Sequence, residues 1–180
     1  MTASCVPSTW KSGIVIPIFK KGSTSDANNY RPITLTCISC KIMETIIKND
    51  LISHLYCNTL ISKHQHGFLS KHSTSTQLLE CANDWAIQIS KKNQVDIAYL
   101  DFVKEFNSIV HKKLLFKLKA YGVDGLLLNW IKSFLTDCVQ RVRVGKCISD
   151  ILTVTSGVPR GSVLGSILFI VYINDLWPIY

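Results

Sequence analysis

Asp101 stands inside "DIAYLDFVKEFNSIVH" (96–111), flanked by Ile97, Ala98, Tyr99, Leu100, Phe102 and Val103. A near-continuous apolar run of this kind predicts a strand covered on both faces. A lone carboxylate buried there costs several kcal/mol unless it is paired, protonated or metal-bound. Two readings follow: Asp101 holds Mg²⁺, which takes one or two carboxylates plus substrate phosphates, or it pairs with a buried Lys or Arg. A second group is "SGVPRGSVLGS" (156–166), three glycines and a proline at the entry to an apolar helix. Backbone N–H groups at such an entry favour anions, and ordinary caps look similar. The cations Lys20, Lys21 and Arg31 form a third group, suited to phosphates or simply solvated. Cys37 and Cys40 form a C-x-x-C with no second pair at zinc-ribbon spacing, and "HQH" (64–66) does not supply one. Packed thiols and solvated histidines are the simpler reading of these.

The elements that must position these groups are mixed. "GIVIPIFKKG" (13–22) reads as a strand, with Pro17 placing it at an edge or a bulge. Residues 23–32 read as loop. A helix is expected from about Thr36 to Leu55, with Ile38, Ile42, Thr45, Ile46 and Leu51 as its apolar face. The hydroxyls of "HSTSTQ" (72–77) cap a second helix whose apolar face is Leu78, Leu79, Ala82, Trp85 and Ile89. Two short helices flank Gly122, one with Leu114, Leu118 and Tyr121, the other with Leu127, Trp130, Ile131 and Phe134 behind Asp124. A hairpin turns near Gly145, and a buried helix over 163–173 ends at Asn174, Asp175 and Pro178. Without a regular βαβ period the fold class is α+β.

The chain has 180 residues, 47% hydrophobic and 18% charged, which excludes disorder and supports one domain with a real core. Its net charge of +8 favours a polyanionic partner. The apolar run 163–173 is too short to span a bilayer, so no membrane is implicated. Seven cysteines, an odd number without a framework, and no secretory signal place the expected compartment in the nucleus or cytoplasm.

The ordered blocks "IPIFKKG…NNYRPITLTCISCKIMETII" (16–47), "QHGFLSKHSTSTQLL" (65–79), "AYLDFVKEFNSIVH" (98–111), "LFKLKAYGVDGLLLNWIKSFL" (115–135), "QRVRVG" (140–145) and "SGVPRGSVLGSILFIVYINDL" (156–176) resemble the reverse transcriptase of non-LTR retrotransposons, of the jockey and CR1-like LINE type. The resemblance covers nearly the whole chain. It implies a right-handed, Mg²⁺-dependent, RNA-directed DNA polymerase acting on an RNA template, a DNA primer and deoxynucleoside triphosphates, with no protein partner evident. Residues 1–95 would be fingers and 96–180 a partial palm. Asp101 matches the first metal-binding aspartate, and Phe106 the aromatic that crowds the sugar 2′ position. Arg31, Lys20 and Lys21 match cations of the fingers; Gly157, Pro159 and Gly161 match the loop beneath the nucleotide.

Several positions depart from the family pattern. Glu105 replaces an alanine and Asn107 an aspartate of "DFSKAFD". Arg160 replaces the glutamine of "VPQGS", setting a cation near the nucleotide, and Ser166 replaces a proline. "GFLSKHS" lacks an expected arginine. The family's aspartate pair on the next palm hairpin is not found by Tyr180, so the expectation is a polymerase fragment inactive as it stands. The alternatives are a non-catalytic nucleic-acid-binding relic and an unfolded pseudogene product.

Overall fold

The computed structural model describes residues 5–102 and 105–179, with side chains up to Leu176. Val103, part of the run around Asp101, lies outside the described residues. The architecture is α+β, with one small mixed sheet and five α-helices among the described residues. The strands are β1 (Ser12–Phe19), β2 (Tyr30–Leu35), β3 (Cys138–Val144), β4 (Cys147–Ile148) and β5 (Leu152–Val154). The helices are α1 (Ile38–Cys57), α2 (Thr74–Ser90), α3 (His111–Ala120), α4 (Gly125–Leu135) and α5 (Gly165–Ile173).

The sheet runs β2-β1-β3-β4, with β5 also on β3. β1 pairs antiparallel with β2 from Ile14↔Leu35 to Phe19↔Tyr30, and parallel with β3 from Ser12↔Val139 to Val15↔Val142. Pro17 therefore lies past the last residue that β3 pairs, in the half of β1 that has become an edge and can spare an N–H. It faces Pro32 across the ladder. The expected loop 23–32 is shorter than predicted: Tyr30, Arg31 and Pro32 belong to β2. The expected hairpin is present as β3–β4, with Val144 opposite Cys147 around Gly145.

The core is helical. Leu114 and Leu118 of α3, Trp130, Ile131, Phe134 and Leu135 of α4, and Ile167, Leu168, Ile170 and Val171 of α5 join one buried cluster with α1. α5 is apolar all round and accordingly sits inside. Its C-terminal end is fixed by polar contacts. Asn174 donates to Leu60 O (2.6 Å) and to Tyr121 Oη (2.9 Å), and Asp175 pairs with Lys117, which holds its carboxyl below the usual range.

Two predicted faces are corrected. α1 buries Cys40, Glu44, Ile47, Leu51 and Leu55, whereas Ile38, Ile42 and Ile46 are exposed. The helix carries apolar residues on more than one side, so spacing alone does not choose between stripes. α2 begins with a hydroxyl cap as expected, and the structure shows it to be a capping box formed by Ser73 and Thr76. It buries none of its residues, and Leu78, Leu79 and Ile89 face out. Its polar attachment is Glu80, which receives His66 Nε2 at 2.7 Å and His64 Nδ1 at 3.0 Å; these bonds lower its carboxyl pKa.

The strand expected around Asp101 is absent. Residues 93–102 are irregular, with Tyr99 83% and Leu100 78% exposed. A run of this composition becomes a covered strand only if neighbours take up its backbone groups. Among the described residues every strand belongs to the sheet built on β1 and β3, so 97–102 has no ladder.

Candidate nucleotide cleft

A cleft of about 400 Å³ is lined by Arg31, Phe68, Glu105, Phe106, Pro159, Arg160, Gly161, Ser162 and Ser166. Four remote pieces of chain meet there: β2, the stretch between α1 and α2 that carries Phe68, the segment after Asp101, and the loop before α5 with the first turn of that helix. Phe106 is its floor. Its ring lies 5.0 Å from that of Phe169 on α5 and takes the edge of Phe68 at 5.9 Å. The guanidinium of Arg160 sits 5.5 Å from the Phe106 ring centroid and pairs with Glu105. Such a cation over an aromatic face is attracted by the ring quadrupole.

The loop 156–161 is held by backbone bonds. Gly157 N–H donates to Ile109 O (2.8 Å), Val158 N–H to Phe106 O (2.9 Å), and Thr34 N–H to Arg160 O (2.7 Å). Glycine is required where these strands of backbone touch. Gly157 has φ +83°, and a Cβ there would lie 2.7 Å from Asn107 Cα; Gly161 has φ +118°, with Thr34 O at 2.8 Å. His111 Nε2 closes the arrangement at 2.7 Å from Gly157 O.

The helix entry differs from the expected anion site. Leu164 N–H donates to Glu44 Oε2 at 2.9 Å, and Gly165 N–H to Ser162 Oγ at 2.7 Å. The anion favoured by this helix end is thus the protein's own buried carboxylate. Glu44 is fully buried, and its Oε1 has no hydrogen-bond partner. Beside it, burial first and the charge of Glu44 next push the Cys40 thiol up to about 12. Spacing could have signalled Glu44, since it shares a stripe with Cys40, Ile47, Leu51 and Leu55. Phe68 was also missed. Its φ of +61°, a rare conformation for a bulky side chain, has no sequence signature.

Of the residues singled out from the sequence, Arg31, Phe106, Pro159, Arg160 and Gly161 meet at the cleft, together with the departures Glu105 and Ser166. Gly157 sits against the backbone of Phe106 and Asn107, outside the lining. Lys20 and Lys21 are exposed after β1 and do not line it either. Asp101 is exposed, so the desolvation argument that singled it out does not hold. Its neighbour Phe102 meets Phe169 edge to face at 6.4 Å, while Asp101 itself is not among the residues that line the cleft. Asp101 is a hard oxygen donor suited to Mg²⁺, but it is one donor. Among the described residues, no group of three or more His, Cys, Asp or Glu is arranged to hold a metal ion. Asn107, the departure from the family's aspartate, points to no metal group among the described residues: it lies ahead of α3, whose N-cap is Val110, and its backbone O accepts from Ser156 Oγ at 3.1 Å.

Comparison with known proteins identifies the family of the chain. The family model for reverse transcriptase (RNA-dependent DNA polymerase) matches residues 18–178. The RNA-directed DNA polymerase from mobile element jockey of Drosophila melanogaster is 36% identical over 171 residues, covering 94% of this chain and 19% of that protein. The probable RNA-directed DNA polymerase from transposon BS of the same organism is 30% identical over 177 residues, with the same coverage. The retrovirus-related Pol polyprotein from type-1 retrotransposable element R2 of Popillia japonica is 23% identical over 172 residues, 95% of this chain and 24% of its own length. The chain thus spans about a fifth of the length of the jockey and BS relatives. With a family match over most of its length, the chain belongs to the reverse transcriptase family.

Proposed function

We propose that these residues form the nucleotide-binding face of an RNA-directed DNA polymerase of a retrotransposon, with 1–95 as fingers and 96–180 as part of the palm. One observation carries the reading: Arg31, Phe106, Arg160 and Gly161, from separate parts of the chain, line a single cleft. Arg31 and Arg160 supply cations for a polyphosphate, and Gly161 lets the loop that carries Arg160 close against Thr34 of β2. Phe106, fixed against Phe169, offers an aromatic surface to the sugar, and by family resemblance prefers the deoxy form. The family is generally Mg²⁺-dependent; when bound, Mg²⁺ would neutralise developing phosphate charge, and Asp101 is the residue that would contribute to holding it. Because no group of three or more carboxylate, imidazole or thiol ligands joins Asp101 among the described residues, the chain is expected to bind nucleotide and to extend no primer. Lys20, Lys21 and the net charge of +8 suit an RNA template and a DNA primer outside the cleft.

The test is equilibrium binding of dUTP and UTP, which differ only in the 2′-hydroxyl, to the chain at low salt. dUTP should bind more tightly than UTP, Arg31→Gln should weaken both, and Phe106→Ala should erase the preference. Binding unaffected by Arg31→Gln would place the nucleotide elsewhere. Affinity for single-stranded RNA should fall with salt at a log–log slope of about −0.7 per neutralised phosphate. A flat salt dependence would remove the nucleic-acid part of the proposal.

A further inference from the structure

Glu105 and Arg160 are separate departures from the family pattern in sequence, and the fold makes them one pair. Both side chains are partly withdrawn from water, at 31% and 24% exposure, in the wall of the cleft. Arg160 is held twice, by the carboxylate of Glu105 and by the face of Phe106. Arg31, on the same cleft, has no such carboxylate among the ion pairs of the described residues.

We infer that Glu105 is an internal counter-ion that occupies Arg160 until a polyphosphate displaces it, making the cleft selective for ligands with more than one phosphate. The inference rests on the nucleotide reading of the cleft. With the pair closed, the lining presents Arg31 as its uncompensated charge. With the pair open, Arg31 and Arg160 flank the same space, and a guanidinium fork can bind phosphate oxygens in pairs. A monophosphate satisfied at Arg31 gains little by breaking the pair. A triphosphate reaches both cations and exchanges one carboxylate for several anionic oxygens. Phe106 keeps the guanidinium in place during the exchange, because the stacking contact does not depend on Glu105. Glu105 is a positioning residue here, acting on the ligand through Arg160.

A merely structural pair predicts the opposite response. If Glu105–Arg160 only pinned the segment after Asp101 to the loop 156–161, loosening it would weaken every ligand alike. The experiment is equilibrium binding of dTTP and dTMP, without divalent metal and at low salt, to the full chain and to Glu105→Gln, Arg160→Gln and the double variant. Glu105→Ala, which restores the family's usual residue, serves as a second release of Arg160 should the glutamine variant misfold. Releasing a partly exposed pair should tighten dTTP by about two- to fivefold, with dTMP changing less. Arg160→Gln should weaken dTTP, and the double variant should match it, since Glu105 then has nothing to hold. If the parent chain binds dTTP, Arg31→Gln weakens that binding and neither Glu105 variant binds it more tightly, the counter-ion role is wrong while the cleft reading stands. If none of the chains retains dTTP, the cleft reading falls and the counter-ion role with it.

Discussion

Gly157 and Asp101 mark the two ends of what single residues reveal. Gly157 was readable as part of a glycine-rich turn, but its purpose is visible only in the fold, where an added Cβ would run into the backbone of Phe106 and Asn107. Gly157→Ala should therefore lower stability by about 1–3 kcal/mol, from positive φ and from a contact that backbone atoms cannot easily relieve. Gly145→Ala is the control: it has a positive φ too, but nothing lies within 4 Å of its added Cβ, so its loss should be smaller. Urea denaturation of the two variants checks this, and equal losses would leave strain as the whole effect. Asp101 shows the reverse. Its motif was legible, whereas its environment was not, because burial of a strand depends on neighbours that a local apolar run does not name. The pairing of Glu105 with Arg160 was hidden for a related reason: two departures 55 residues apart carry no mark that they touch.

The positions of α1, α3, α4, α5 and the β3–β4 hairpin followed from periodicity and turn residues, because each carries its own signal. Faces were less legible. On α1 the isoleucines 38, 42 and 46 compete with the stripe holding Cys40, Ile47, Leu51 and Leu55, and packing with the α5 region chooses the latter. Glu44 lies on the chosen stripe, and its bond to Leu164 N–H ties α1 to the entry of α5. Glu44→Ala should destabilise the chain by about 1–3 kcal/mol, since the buried N–H is then left without an acceptor. Glu44→Gln keeps an acceptor oxygen and should cost less. Chemical denaturation ranks the variants, and amide exchange at Leu164 should accelerate in Glu44→Ala alone. Equal protection in both would mean that the bond contributes little.

At the scale of the molecule, an unusual share of large apolar side chains faces outward. Leu78, Leu79, Ile87 and Ile89 of α2, then Tyr99 and Leu100, are all exposed. Surfaces of this kind drive association. The chain should self-associate as its concentration rises in sedimentation velocity, and Leu79→Glu with Leu100→Glu should shift it toward monomer; a parent chain that stays monomeric throughout would contradict this. The parallel pairing of β1 with β3 carries a different consequence, one of timing. β2 can zip onto β1 as soon as both leave the ribosome, but Ser12–Val15 must wait for Val139–Val142. At about 5–20 residues per second, synthesis leaves that edge open for on the order of ten seconds. Throughout that interval "SGIVIPIF" is an apolar strand with a bare flank, the sort of segment that recruits other nascent chains. Pro17 within it and Lys20–Lys21 just beyond it then act as gatekeepers, withholding an N–H and adding charge until the native partner has been made.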